Sequence, residues 1–488
     1  MNNRLSRNYT MLTDAYELFM ADTYVNNKKD VEGIFDVFYR TVPNGGGYTI
    51  MAGLDKVIPF IKDLKFNEED IEYFKNSGYN FSNEFLDYLR NFKFTGDIYA
   101  IPDGTPVFPN EPLLTVKAPL PQAQIIETAI LSIINGAKEH ATGARKIIEV
   151  TPKNCPVMEF GARRADGLEA ALDSSIYGIM AGCAGTSNVK AAQMLGVKAL
   201  GTMAHSFVEA YESELDAFIA FASTHSDNAT LLVDTYDTLR IGVPNAIKTF
   251  DWMKNNGLPV DHIGIRIDSG DLAYLSKKAR EMLDNAGYPQ AKICLSNGLN
   301  DETIETLINQ GAKFDLLGVG DNISKPSGRM GCVYKEVAII ENGNKTPKIK
   351  VSNDVFKIVN PDFKDLYRAY DKESGYAIAD IMCSKDKEIN KEELTIVSVN
   401  DLVKNTTISN YELIKLQKPI FINGELVYKD PTIFEKKEYC ENQMKTIYPE
   451  VKRRLNPHLY FVDGTEEYVE LKKEMIGKAK VNKWEKKN

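Results

Sequence analysis

The stretch H-I-G-I-R-I-D-S-G-D, His262 to Asp271, passes from an apolar run into a cluster of charge. Ile263, Ile265 and Ile267 are β-branched residues at period two, which predicts a buried strand, and Gly264 leaves room between them. Ser269, Gly270 and Asp271 then supply a turn and a helix N-cap ahead of Leu272. Arg266 and Asp268 therefore stand at the C-terminal end of the strand, where α/β sheets and barrels bind their ligands. A structural ion pair between the two is the plainer alternative.

Similar apolar runs lie on both sides: Pro156 to Phe160, Val197 to Met203, Leu231 to Tyr236, Ile293 to Asn297 and Phe314 to Val319. Amphipathic helical patterns separate them at the spacing that βα units need. Asn300 is a candidate N-cap, and Gly257, Gly287 and Gly311 are candidate helix terminators. A doubly wound sheet and a barrel both fit this alternation. The barrel is preferred because nearly every run ends in polar residues or glycine: Glu159 with Arg163 and Arg164, His205, Asp234 with Asp237, Arg266 with Asp268, Ser296 with Asn297, and Gly318 with Gly320. In a barrel these ends ring one mouth, whereas an open sheet would spread them apart.

Residues 1 to about 115 read as an α+β domain: Thr13 or Asp14 caps a helix carrying Tyr16, Leu18, Phe19 and Met20, and Gly33 to Arg40 alternates like a strand. The glycines of Pro43 to Tyr48 permit either a surface turn or a close approach of backbone to a ligand or a partner chain. A long helix over Gln122 to Ala141 opens the barrel domain, residues 116 to 330. The C-terminal region, 331 to 488, carries hairpin signals at Glu341 to Asn344 and Asn423-Gly424, and its first part is expected to pack back on the N-terminal domain. A helix is expected from Glu466 to about Lys478.

The 488 residues are 43% hydrophobic and 26% charged, with a formal net charge of -9. That balance argues against nucleic acid and membrane surfaces as partners, so an anionic ligand has to be a small molecule held by a local group of Arg and Lys. Six dispersed cysteines without a C-x-x-C pair read as reduced thiols. The polar N-terminus lacks a signal-peptide core, and no run of ~18 apolar residues is present, which points to the cytoplasm.

Arg163, Arg164 and Arg266, converging with backbone amides of Gly318 to Gly320, would hold a phosphate or carboxylate. Asp234, Asp237, Asp268 and Asp271 are hard oxygen donors suited to Mg²⁺ carried by a phosphate, although each alone also suits a cap or an ion pair. Together they suggest a Mg²⁺-bound phosphorylated sugar. His205 is a candidate for chemistry by position, and Phe160 could stack on a flat aromatic ring; structural and core roles are the alternatives.

Several motifs occur in order: T-D-A-Y-E-L at 13–18, P-N-E-P-L-L at 109–114, E-F-G-A-R-R-A-D-G at 159–167, G-T-S-N-V at 185–189, G-T-M-A-H-S-F at 201–207, R-I-D-S-G-D-L at 266–272 and G-C-V-Y-K at 331–335. The set resembles nicotinate phosphoribosyltransferase over nearly the whole chain. The resemblance implies an irregular α/β barrel of the type II phosphoribosyltransferase kind with an α+β N-terminal domain and a C-terminal extension. It also implies a homodimer with shared active sites. The implied reaction joins nicotinate to 5-phosphoribosyl 1-diphosphate with coupled ATP hydrolysis and Mg²⁺. Phe160 and the partner subunit's Tyr16 would sandwich the pyridine, with Arg163, Ser187, Thr202 and Arg266 around it. Asp268, Ser296, Asn297, Gly298, Gly318 and Gly320 would serve the phosphoribosyl group, and His205 would be phosphorylated. No metal site built from protein ligands alone is expected.

Gly143 stands where many family members have Lys, and Thr41 where they have a basic residue; Arg145 and Lys146 are candidate substitutes. The nicotinamide-specific relatives have an aspartate at the position of Ser187, so the uncharged Ser187 favours nicotinate. A non-catalytic phosphosugar-binding regulator would leave His205, Arg266 and Asp268 together without a purpose. An aldolase would need a Schiff-base Lys at a strand end, and none is present.

Overall fold

The computed structural model describes residues 9–328, 331–351, 358–385, 387–389 and 392–485; the polar N-terminal stretch, 1–8, lies outside them. They form two compact units, His140–Ser327 and Met1–Glu139 with Gly328–Asn488. The division expected near 115 thus falls inside the second of these units.

His140–Ser327 is built on a six-stranded sheet. In chain order its strands are Val157–Glu159, Gly185–Thr186, Ala229–Leu232, Ile263–Ile267, Lys292–Leu295 and Leu316–Val319. In space the order is second, first, sixth, fifth, fourth, third, and all the ladders are parallel. The first strand therefore pairs with the last, as in a barrel, while among the described residues no ladder joins the second to the third. Ile263, Ile265 and Ile267 are at most 1% exposed. Alternation along the strand puts Arg266 on the other face, beside Leu232 and Cys294 of the neighbouring strands.

The predicted strand at Val197 to Met203 does not form. This segment lies in coil between the two strands that fail to pair, tied by isolated bonds: Leu200 N donates to Thr186 O at 2.9 Å, and Asn228 Nδ2 reaches Gly201 O at 3.5 Å. Its apolar pattern reflects packing, for Leu200 lies against Gly185, where a Cβ would meet it at 2.6 Å. Pattern alone does not separate such a packed coil from a ladder-forming strand.

In the other unit, strand Glu32–Tyr39 pairs antiparallel with Leu114–Pro119 on one side and Cys332–Glu341 on the other. A second sheet of six strands is made from the C-terminal region, which ends in helix Glu466–Glu485. Both predicted hairpin turns place two residues in the left-handed region, Asn342 (φ 51°) with Gly343 (77°) and Asn423 (50°) with Gly424 (78°), as two-residue turns of this kind require. The stretch Pro43 to Tyr48 begins in a 3₁₀ turn with Asn44 at φ 57°.

This unit buries several charges in pairs. Arg368 is wholly buried and forks onto Asp380 at 2.8 and 2.6 Å, with Tyr460 donating to the same carboxylate at 3.0 Å. Lys364 meets Asp36, and Lys436 meets Asp103 and Asp430. Glu111, from P-N-E-P-L-L, is buried with them and accepts from Phe108 N at 2.9 Å, which makes that motif part of the scaffold. All six cysteines are buried and none is in a disulfide, and among the described residues no helix is long and apolar enough to cross a membrane.

Glu17 anchors the first helix, Ala15–Asn27. It accepts from Thr13, from Thr128 Oγ1 and, at 3.1 Å, from Thr128 N in the first turn of helix Glu127–Val150. Burial pushes its carboxyl up from 4.5 to about 7, against the opposing effect of these donors. A raised folded-state pKa gives stability that is complete below 4.5 and lost as pH rises through 7. Melting temperatures of wild type and Glu17→Gln from pH 5 to 8 check this: the wild type should lose a few degrees relative to the variant across the range. A constant difference would mean that Glu17 is ionised throughout.

Candidate active site

Arg266 organises the mouth of the barrel. Its side chain is 11% exposed and donates three ways: Nε to Ser296 Oγ at 2.8 Å, Nη2 to Asp268 Oδ1 at 2.8 Å and Nη1 to Thr202 Oγ1 at 3.3 Å. Ser296 passes a hydrogen bond on to the same Asp268 oxygen. These residues come from the fourth strand, the end of the fifth and the coil in the gap, so the planar guanidinium is fixed by three separate segments. Its carbon lies 5.9 Å from the centroid of the buried Phe160 ring. Phe160 in turn packs against Gly318, where a Cβ would come within 2.6 Å of the ring. Glycine is needed there to admit the aromatic floor.

Asp268 is supported from below by Asp234. The Asp234 side chain, 1% exposed, accepts on Oδ2 from Asp268 N at 2.9 Å and from Ser269 Oγ at 2.6 Å. Its other oxygen is buried without a hydrogen-bond partner. Opposite stands His205 at the head of the short helix His205–Glu209. Its Nε2 lies 3.9 Å from Asp234 Oδ1 and 4.0 Å from Asp268 Oδ2, and its Nδ1 lies 3.1 Å from Thr235 Oγ1. The mouth thus combines a guanidinium, two carboxylates and an imidazole over an aromatic ring.

Other predicted residues separate by role. Asp237 caps Thr238–Gly242, and Asp271 caps Leu272–Asn285, so both are engaged with backbone N–H groups. Glu159 is wholly buried and accepts from Gly161 N and Thr186 Oγ1, holding the end of the first strand. Ser187 N donates to Glu159 O at 3.0 Å on that same turn. Arg164 pairs with Asp321 at 3.3 Å, whereas Arg163 is exposed and has no ion pair or hydrogen bond among the described residues. Asn297 (φ 91°) and Gly298 (59°) turn the chain sharply after Ser296. Tyr16, in the other unit, is 47% exposed beside the exposed Phe19 and Met20.

Gly143 is closed to a side chain, because a Cβ would meet Pro326 at 2.6 Å and Asn322 O at 2.9 Å. Arg145 is tied to Glu149 at 2.7 Å and donates to Ala181 O at 3.4 Å, so its guanidinium is engaged in the scaffold. The support given by Ser269 to Asp234 and by Thr235 to His205 went unread in the sequence. Its signal is the pair of hydroxyl residues that directly follow the strand-end acids in D-T and D-S.

Comparison with known proteins agrees along the chain. The model of the nicotinate phosphoribosyltransferase (NAPRTase) family matches residues 155–373, that of its N-terminal domain 11–135 and that of its C-terminal domain 363–472. Nicotinate phosphoribosyltransferase of Bacillus subtilis is 38% identical over 96% of this chain and 95% of its own length, and that of Dictyostelium discoideum 33% over 94% and 86%. The crystal structure of human nicotinic acid phosphoribosyltransferase shares the fold at a TM-score of 0.82, with 24% identity over 95% of this chain and 99% of that one. Its extent and order along both units establish that this chain belongs to the nicotinate phosphoribosyltransferase family, enzymes of the phosphoribosyltransferase type.

Proposed function

We propose that the chain transfers the phosphoribosyl group of 5-phosphoribosyl 1-diphosphate to nicotinate, giving nicotinate mononucleotide and diphosphate, with ATP hydrolysis coupled through His205. The observation that carries this reading is the guanidinium of Arg266 fixed beside the Phe160 ring. A flat pyridine can lie along the ring while its carboxylate meets the guanidinium and Thr202. Ser187 brings no negative charge against that carboxylate, and Arg163, exposed on the 3₁₀ turn after the first strand, can add a second cation.

In the transfer, the bond from ribose C1 to diphosphate breaks, and the pyridine nitrogen forms the new bond to C1. Positive charge grows on the sugar and negative charge on the leaving group. Asp268, held by Arg266, Ser296 and its own backbone bond to Asp234, presents fixed negative charge to the sugar. The backbone around Gly318 and Gly320, with Ser296, Asn297 and Gly298, would receive the phosphate. Mg²⁺, when bound with the diphosphate, would neutralise its oxygens. That cation would be held chiefly by phosphate and water oxygens, with Asp268 at hand as a hard oxygen donor. The six buried thiols suit a reducing cytoplasm.

The exposed apolar face of Tyr16, Phe19 and Met20 supports a homodimer in which Tyr16 completes the partner's site. An inactive Tyr16→Ala chain and an inactive His205→Ala chain, mixed under subunit exchange, should then regain part of the activity, because one site of each hybrid carries neither defect. No recovery despite demonstrated exchange would put both residues in one chain's site. For the chemistry, Asp268→Asn should keep the fold and lose ~10²-fold or more in kcat, the usual size for a charge acting on the transition state. Near-normal turnover would make Asp268 only a structural partner of Arg266.

A further inference from the structure

We propose that Thr235 is a positioning residue for His205, pairing with Nδ1 so that Nε2 serves as the phosphoryl acceptor. This rests on the reading of His205 as the residue that ATP phosphorylates. The geometry sets a problem that Thr235 answers. Nε2 stands 3.9 and 4.0 Å from oxygens of Asp234 and Asp268, and the Asp234 oxygen is buried and has no hydrogen-bond partner. Nε2 is the ring nitrogen that faces the mouth, and a nitrogen that attacks phosphorus needs its lone pair free. The proton has to reside on Nδ1 instead, and there it needs an acceptor.

Thr235 Oγ1, 3.1 Å from Nδ1, is that acceptor. In its accepting role the hydroxyl stabilises the Nδ1–H tautomer, the one that leaves the Nε2 lone pair free. Thr235 follows Asp234 directly, and the two side chains divide the work. Asp234 holds the Asp268 backbone and Ser269, and Thr235 meets the imidazole. In the step itself the Nε2 lone pair bonds to the γ-phosphorus, and the bond from phosphorus to the bridging oxygen breaks with its electron pair leaving on ADP. The Nδ1 proton stays on the ring, hydrogen-bonded to Thr235. The ring then carries one positive charge beside a phosphoryl group of about two negative charges.

The test uses the full-length protein with γ-labelled ATP and Mg²⁺. Wild type should acquire an acid-labile, base-stable phosphate that alkaline hydrolysis and chromatography assign to Nε2, and His205→Ala should acquire none. Thr235→Val, which keeps the shape and removes the hydroxyl, should label about tenfold more slowly, the size of one lost hydrogen bond. Thr235→Ser should recover most of the rate. Phosphate on Nδ1, a Val variant as fast as wild type, or a Ser variant as slow as Val would each overturn the proposal. A second measurement does not depend on phosphorylation: the ¹⁵N shifts of the His205 ring should move towards the Nε2-protonated tautomer in Thr235→Val but not in Thr235→Ser. If wild type takes no label, the reading of His205 fails, and the role in positioning falls too if the ring shifts are the same in all three proteins.

Discussion

The site depends on one constraint: a guanidinium nearly removed from water at the end of a buried strand has to have its donors satisfied. Arg266 meets it with Ser296, Asp268 and Thr202. Because those partners come from different segments, satisfying the cation also fixes their relative positions. Asp268 is fixed twice, by Arg266 at its side chain and by Asp234 at its backbone. Preorganised charge of this kind needs little rearrangement during reaction, which is where enzymes gain most of their electrostatic advantage.

The same device recurs as scaffold in the other unit. The Arg368 fork on Asp380, the Lys364 pair with Asp36 and the Lys436 pair with Asp103 are all buried. Such pairs contribute little net stability, since desolvation offsets attraction, but losing one partner leaves a buried charge and is costly. They join segments far apart in sequence, as Lys364 and Asp36 do, and that pair ties the C-terminal sheet to the sheet that holds strand Glu32–Tyr39. The charged and tyrosine-rich C-terminal region is in this sense interior material.

Much of this was legible in the chain because alternating apolar residues and strand-end polar residues have simple physical causes. The period of Ile263, Ile265 and Ile267 gave both the buried face and the direction of Arg266. Asn-Gly at 423 and 424 gave a hairpin, because few residues tolerate two left-handed positions. The coil from Val197 to Met203 forms no strand, since packing of the half-buried Leu200 against Gly185 leaves the same pattern whether or not a ladder forms. The four candidate acids could not be sorted either. Asp237 and Asp271 cap helices while Asp234 and Asp268 meet at the mouth, and only the three-dimensional partners distinguish them. Gly143 looked like a lost cation and is instead a packing requirement set by Pro326, a residue distant in sequence.

The central claim is that an Arg266-centred mouth couples a pyridine carboxylate to a phosphoribosyl group. The most direct measurement incubates the purified protein with phosphoribosyl diphosphate, Mg²⁺ and ATP, together with nicotinate or nicotinamide, and identifies the nucleotide by mass. The account predicts nicotinate mononucleotide from nicotinate and little product from nicotinamide. Equal or greater product from nicotinamide, or no nucleotide from either pyridine, would contradict it.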